Sequence, residues 1–169
     1  MPSDDHVDKI VREWSVVRPD LDASPIAVIG RISRLSRLVD RHLAENFARF
    51  EIENWMYDVL ATLRRQGPPF TLTAGDLVAQ TMVTSGAMTN RIDRLAQRGW
   101  VERASTQDRR QVLVRLTKSG LRVVDEVVTS HLRLEEEILG RLSVRQRQTL
   151  AATLRSLLLE LGDVGSPQG

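Results

Sequence analysis

The sequence predicts a mainly α-helical fold that contains one small β-hairpin. In several segments of the 169-residue chain, apolar residues recur at intervals of three and four, which is typical of helices that bury one face. Two short apolar segments, 100–104 and 111–117, are separated by a polar loop and are expected to be the strands of a hairpin. Serine, threonine, proline and glycine stand where these helices would begin and end.

Two helices are predicted in the first part of the chain. The first covers 24–50, with Ser24 as its expected N-cap and Pro25 as its first helical residue. The second covers 51–67 and ends at Gly67, ahead of two prolines. Their apolar positions follow helical spacing: Ile29, Ile32, Leu35, Val39 and Leu43 in the first, and Trp55, Val59 and Leu63 in the second.

A short strand at 70–72 and two closely spaced helices are expected next. Thr73 would cap the first of these helices, and the second would run from about Thr84 or Ser85 to Arg98 and end at Gly99. At about 100° per residue, one face of the second helix is apolar and should point into the core. That face carries Met88, Ile92 and Leu95.

Two longer helices should follow the hairpin. Thr117 is the expected cap of one, which Gly140 ends, and Ser143 is the expected cap of the other. The last helix has a stripe of leucines at 150, 154, 157, 158 and 161. Two short helices followed by a hairpin form a winged helix-turn-helix, so the hairpin would be its wing.

The apolar stripes at both ends of the chain exceed what one small lobe can cover. They would leave an exposed patch unless they packed against each other or against a second subunit. We therefore expect a homodimer. Its dimerisation helices would lie within 1–50 and 118–162, its winged lobe within 51–117, and a flexible tail at 163–169.

The composition excludes several classes of function. The chain has no cysteine, so disulfides, thiolate metal sites and thiol-based peroxide switches are excluded, and a reducing cytoplasm is the expected location. No apolar run could cross a bilayer, and the acidic first residues are unlike a signal peptide. We expect no metal, because the histidines are isolated and the consecutive glutamates at 135–137 point in different directions on a helix. There is also no phosphate-binding glycine loop, so we expect no enzyme and no cofactor.

A basic segment indicates a polyanionic partner. From 84 to 122 there are nine basic residues and three acidic ones, and only two of the 24 cationic residues of the chain are lysines. The helix at 84–98 turns a polar face away from its apolar side. That face suits the base edges and phosphates of double-stranded DNA, although a solvated helix could carry the same residues: Ser85, Gly86, Thr89, Asn90 and Arg94.

The loop of the hairpin, STQDRR, adds a second indication. Arg109 and Arg110 could enter a narrow minor groove, with the carboxylate of Asp108 holding one of them in position. The alternative is a winged-helix interaction module that binds protein and not DNA. Strong salt dependence of nucleic-acid binding would distinguish the two.

Three segments resemble the MarR (multiple antibiotic resistance regulator) family of bacterial transcription factors: DVLATLRRQGPPFTLT, TSGAMTNRIDRLAQRGWVER and DRRQVLVRLTKSG. The sharpest marks are Asp108 and Arg110, followed by Leu116, Thr117 and Gly120. The resemblance covers roughly 25–160. It implies a homodimeric repressor on a palindromic operator, with Arg110 in the minor groove and Asp108 positioning it. Repression or activation depends on where the operator lies relative to the promoter.

The resemblance also implies that a small phenolic or aromatic anion releases the DNA. The segment VREWSVVRPDLDASP is similar to the urate-responsive branch of the family, in which a tryptophan, an aspartate and arginines share an anionic ligand. The matching residues are Trp14, Asp58, Arg91 and Arg103. The alternative is that Trp14 packs on the dimer core and that Asp58 pairs with a surface arginine.

Overall fold

The computed structural model describes residues 4–81, 83–104 and 112–164. These residues form seven helices and a three-stranded antiparallel sheet, and none of these helices is long and apolar enough to span a bilayer. In chain order the elements are α1 (His6–Val17), α2 (Ser24–Ala48), α3 (Asn54–Arg64), β1 (Thr71–Thr73), α4 (Ala74–Thr81), α5 (Ser85–Gln97), β2 (Val101–Ala104), β3 (Leu113–Leu116), α6 (Lys118–Ile138) and α7 (Val144–Glu160). Helices α3 to α5 and the sheet form the predicted winged helix-turn-helix.

The sheet has the order β1-β3-β2, so the predicted hairpin of β2 and β3 is extended by β1. Leu72 of β1 lies opposite Val114 of β3, and Glu102 of β2 lies opposite Arg115 of β3. The first strand begins one residue later than 70–72. Phe70 has a φ of 57°, in the left-handed region, so it cannot be part of an extended strand.

The core of the lobe forms where α3, α4, α5, the sheet and α6 meet. Met88, Ile92 and Leu95 of α5 are at most 1% exposed, which confirms the predicted apolar face of this helix. Burial of each such side chain contributes about 1.5–3 kcal/mol to folding. Other buried members of the cluster include Met56, Val59, Leu60, Leu63, Leu77, Val101, Val114, Val124 and Val127.

Three predicted helix starts are confirmed by their caps. The hydroxyl oxygens of Thr84, Thr117 and Ser143 accept bonds from backbone N–H groups in the first turns of α5, α6 and α7. The start of α2 differs by one residue. Ser24 is already helical, because the Asp22 carboxylate accepts bonds from both its backbone N–H and its hydroxyl at 2.9 Å.

Helix α3 is shorter than the predicted 51–67. Glu51 has a φ of 55°, and the N–H of Ile52 turns back to the carbonyl of Phe47, so the chain bends sharply before α3 begins. At the other end the chain turns over Gly67, which has a φ of 72°.

Helix α1 precedes the first helix that the apolar periodicity indicates. Asp5 and Asp8 form a capping box at its N-terminus, a signal that is visible in the sequence. Arg31 of α2 pairs with both carboxylates, at 2.8 and 2.6 Å, and so holds α1 against α2. A side chain at Gly30 would lie 3.2 Å from Val7, so glycine permits the close approach of the two helices.

The apolar stripes at both ends of the chain are exposed. None of the residues of α7 is buried, although Arg147 links this helix to α6 through Glu136 at 2.6 Å. The exposed apolar side chains of the two stripes are Val28, Ile29, Ile32, Leu35 and Leu38 on α2, and Leu150, Leu154, Leu157 and Leu158 on α7. Such contiguous apolar surface is typical of an association site.

Candidate nucleic-acid interface

The first turns of α5 present a polar, exposed surface. Ser85, Gly86, Thr89 and Asn90 are all exposed, and no atom lies within 4 Å of the place where a Cβ of Gly86 would be. The hydroxyl of Thr89 donates to the carbonyl of Ser85 at 3.1 Å. Backbone N–H groups of the first helical turn make this end of α5 electropositive. The surface can therefore approach an anionic backbone and hydrogen-bond with it.

The orientation of this surface is set by the other side of α5, which is buried in the core. Gly99 ends the helix with a φ of 69°, and the N–H of Trp100 bonds to the carbonyl of Leu95. The chain then enters β2 directly. A short hydrogen-bonded turn consequently connects α5 to strand β2.

Arg94 lies one turn beyond Asn90 but already has partners within the chain. Its Nη2 is 2.6 Å from Oε1 of Glu53, and its guanidinium lies 4.7 Å from the centre of the Trp55 ring. Hydrogen bonds from Trp55 and Arg94 lower the pKa of the Glu53 carboxyl. The helical wheel places Arg94 on the exposed face but gives no indication of Glu53, because the pair bridges two helices.

Two other arginines of the basic segment are also paired with carboxylates. Arg103 of β2 is 2.6 Å from Asp93 of α5, and Arg115 is 2.7 Å from Glu102 across the sheet. Their charges are thus partly compensated within the lobe. Asp108, Arg109 and Arg110 lie outside the described residues, and their roles in the wing stay predictions.

Asp58 borders a cavity of about 360 Å³ between α3 and α4. Across this cavity, Nη2 of Arg65 donates to Oε1 of Gln80 at 3.1 Å. Among the residues that the structure describes, no three histidine or acidic side chains are grouped to hold a metal ion. The lining of the cavity mixes aromatic, cationic, hydroxyl and carboxyl groups: Tyr57, Asp58, Ala61, Thr62, Arg65, Gln80 and Thr81.

The surroundings of Asp58 shift the pKa of its carboxyl group. Desolvation by neighbouring protein atoms raises the pKa of the Asp58 carboxyl, against the opposing effect of the positive charges of Arg91, His131 and Arg65. Burial, with the nearby charges of Glu135 and Asp58, raises the pKa of Tyr57 to about 12. The phenol therefore remains a hydrogen-bond donor at neutral pH.

His131 is packed among aromatic rings behind the cavity. Its ring lies 5.5 Å from that of Phe47 and 4.6 Å from that of Tyr57, centre to centre. Its Nε2 is 3.1 Å from Glu135, and its buried Nδ1 has no hydrogen-bond partner within the described part of the chain. The sequence showed His131 only as an isolated histidine on a helix, because its neighbours come from α2 and α3.

The four residues expected to share a ligand are not all together in one chain. Asp58 and Arg91 are close enough to interact electrostatically, and Arg91 also lies 5.6 Å from the centre of the Trp55 ring. Trp14 is 45% exposed on α1 and borders a separate hollow, while Arg103 is paired with Asp93. The shared ligand site stays a prediction.

Asp58→Asn is expected to raise the free energy of unfolding at about pH 7 and to have a smaller effect at about pH 4. Because the pKa of the Asp58 carboxyl is higher in the folded than in the unfolded state, its protonated form stabilises the fold. This contribution is fully present below the unfolded-state pKa and is lost as the pH rises through the folded-state pKa. Asparagine does not ionise and avoids this loss. Urea denaturation at both pH values measures the effect.

Asp20→Asn is the control for this measurement. The Arg18 hydrogen bond lowers the pKa of Asp20, so its replacement should have the opposite sign and reduce stability at neutral pH. Equal losses of stability in the two variants at neutral pH would contradict a raised pKa of Asp58.

The sequence of the chain is similar to those of known transcriptional regulators. Residues 55–111 match the model of the MarR family. The chain is 39% identical over 149 residues to the HTH-type transcriptional regulator PecS of Dickeya dadantii, which covers 88% of this chain and 90% of PecS. It is 30% identical over 139 residues to the multiple antibiotic resistance protein MarR of Salmonella typhimurium, with 79% of this chain and 92% of that protein covered.

The fold agrees with the sequence similarity. The crystal structure of a mutant MarR from E. coli complexed with operator DNA matches with a TM-score of 0.68 at 27% identity, over 86% of this chain and 97% of that chain. The segment that matches the family model begins in α3 and includes β1, α4, α5 and β2. The chain therefore belongs to the MarR family of winged-helix transcriptional regulators.

Proposed function

We propose that this chain acts as a homodimeric repressor that binds a palindromic operator, with the N-terminal face of α5 in the major groove. The observation that carries the proposal is the exposed polar surface of Ser85, Gly86, Thr89 and Asn90 at the electropositive end of a helix whose other side is buried. The complex of E. coli MarR with operator DNA is a structural relative that supports this mode of binding.

The exposed stripes of α2 and α7 support the homodimer. A helix of 17 residues that buries none of its side chains in its own chain needs a partner to remain folded in water. A two-fold axis between two such chains would place both α5 helices on one side of the dimer. We expect half-sites about one helical turn, or roughly 10 base pairs, apart in an inverted repeat.

The loop of the hairpin is proposed to reach the adjacent minor groove. Ala104 and Leu113 are paired at the ends of β2 and β3. The wing residues Asp108, Arg109 and Arg110 lie in this loop, and in this proposal the carboxylate orients an arginine that enters the groove.

A small aromatic or phenolic anion is proposed to release the DNA. The cavity beside Asp58 has the size of a small organic molecule, and its guanidinium, phenol and carboxyl groups could hold a urate-like anion. Trp14, Arg91 and Arg103 would complete the site in the rearranged dimer. In this proposal the two winged lobes of the dimer can adopt a spacing that fits the operator or one that does not. An anion that binds the second spacing more tightly lowers operator affinity by the ratio of its affinities for the two spacings, and by no more.

The proposal is tested by fluorescence anisotropy with the DNA upstream of the chain's own gene and with a scrambled duplex of equal length. We expect nanomolar binding to the upstream DNA, and at least a tenfold loss in Arg110→Ala because a minor-groove contact is removed. Arg133→Ala changes an exposed arginine of α6 and is the matched control. Weak, equal binding to both duplexes, together with a genomic selection that recovers no preferred sequence, would instead favour the protein-interaction module.

A further inference from the structure

Glu53, the residue before α3, is held against α5. Its Oε1 lies 2.6 Å from Nη2 of Arg94, although the two residues are 41 positions apart in the chain. The guanidinium of Arg94 is also stacked over Trp55, in the first turn of α3, at 4.7 Å. Both charged side chains are about half exposed to solvent, so a third charged group could reach them.

The Glu53 carboxylate bonds to α5 and not to the helix that Glu53 precedes. Glu53 is the N-cap residue of α3, yet its side chain makes no capping hydrogen bond. It accepts a hydrogen bond from Arg94 instead, and the pKa of its carboxyl group is lowered by Trp55 and Arg94.

Arg94 occupies a position from which it could contact DNA. It follows Asn90 by four residues and therefore lies on the same side of α5, one turn farther from the electropositive end. A guanidinium at that point could bind a phosphate, which would add affinity for any duplex without reading its sequence. Paired with Glu53, the same guanidinium contributes little net charge towards the DNA.

We propose that Glu53 withholds the charge of Arg94 from the phosphate backbone and thereby limits sequence-independent binding. Glu53 is a positioning residue that acts through Arg94, with Trp55 as the surface on which the guanidinium rests. This role rests on the proposed function, because it requires that α5 faces DNA. Discrimination between sequences then depends on the first turns of α5 and on the wing, and not on a general attraction to DNA.

Glu53→Gln is expected to tighten binding to a mixed-sequence duplex of about 30 base pairs. Glutamine keeps an oxygen that can accept from Trp55, but it removes the charge that neutralises Arg94. One added phosphate contact should steepen the slope of log K against log salt by about 0.9, equivalent to about fivefold in affinity at about 0.15 M salt. Anisotropy titrations over a series of salt concentrations measure both quantities.

Two matched variants separate this role from a general effect of charge. Glu51→Gln removes the same charge two residues away, where the backbone carbonyl and not the carboxylate accepts a bond from Arg98, and we expect little change in the salt slope. Arg94→Ala should weaken binding to the mixed-sequence duplex more in the Glu53→Gln background than in the wild-type chain. In the Glu53→Gln background it should reverse the whole gain.

Several results would overturn the proposal. Equal tightening by Glu53→Gln and Glu51→Gln would show that only net charge matters. An equal loss on Arg94→Ala in both backgrounds would show that Glu53 does not limit the contact of Arg94 with DNA. If the wild-type chain did not bind duplex DNA even at low salt, the proposed function itself would fail, and this role with it.

Discussion

Gly120→Ala is expected to lower the free energy of unfolding by about 3 kcal/mol or more, because a side chain there would collide with backbone atoms. A Cβ at this position would lie 1.9 Å from the carbonyl oxygen of Trp100 and 2.8 Å from its carbonyl carbon. The start of α6 cannot move away easily. Thr117 is bonded through its backbone N–H to the carbonyl of Trp100 at 3.0 Å and through its hydroxyl to the carbonyl of Gly99 at 2.7 Å.

Urea denaturation followed by circular dichroism, at one protein concentration, measures this loss. Gly86→Ala is the matched control, since a Cβ there would meet no atom within 4 Å. Alanine favours helices over glycine by up to about 1 kcal/mol, so this control should be as stable as the wild-type chain or more stable. If Gly120→Ala unfolded at the wild-type urea concentration, the close contact between α6 and Trp100 would be refuted.

The combined substitution Leu154→Asp and Leu158→Asp is expected to yield a monomer and to weaken operator binding by at least about a hundredfold. Both leucines belong to the unburied stripe of α7, with exposures of 36% and 48%. Two carboxylates in an apolar interface would remain unpaired, and burying an unpaired charge is strongly unfavourable. A monomer would also lose the avidity of two linked lobes, about 10²–10⁴ in affinity.

Sedimentation equilibrium measures the association state of this variant, and anisotropy measures its affinity for the operator. The matched control is Leu154→Met with Leu158→Met, which keeps the apolar volume and should remain dimeric. A stable dimer formed by the aspartate variant would exclude this stripe of α7 from the dimer interface. Circular dichroism shows whether the lobe remains folded in the monomer.

Much of the lobe could be predicted from local patterns. Met88, Ile92 and Leu95 are spaced so that they must share one face of a helix, and they are buried together. Thr117 and Ser143 begin their helices because a hydroxyl there can accept a backbone N–H bond. These features depend on neighbours within a few residues, which is why the sequence alone indicates them.

Contacts between distant elements could not be predicted in this way. Arg94 was correctly placed on the exposed side of α5, but its pairing with Glu53 depends on how α5 crosses α3. Gly120 was recognisable only as part of a motif, whereas the carbonyl of Trp100 explains why glycine is required there.

By itself, the sequence determined the helices α2 to α7, the wing strands, the basic segment and the polar face of α5, because spacing and charge are properties of the chain. Only the tertiary structure decided which charges remain available to a partner. The pairing of Arg94 with Glu53 and of Arg103 with Asp93 arises where separate elements meet. The position of α1 likewise follows from helix packing, since Arg31 of α2 holds it through Asp5. The cavity beside Asp58 forms where α3 and α4 meet.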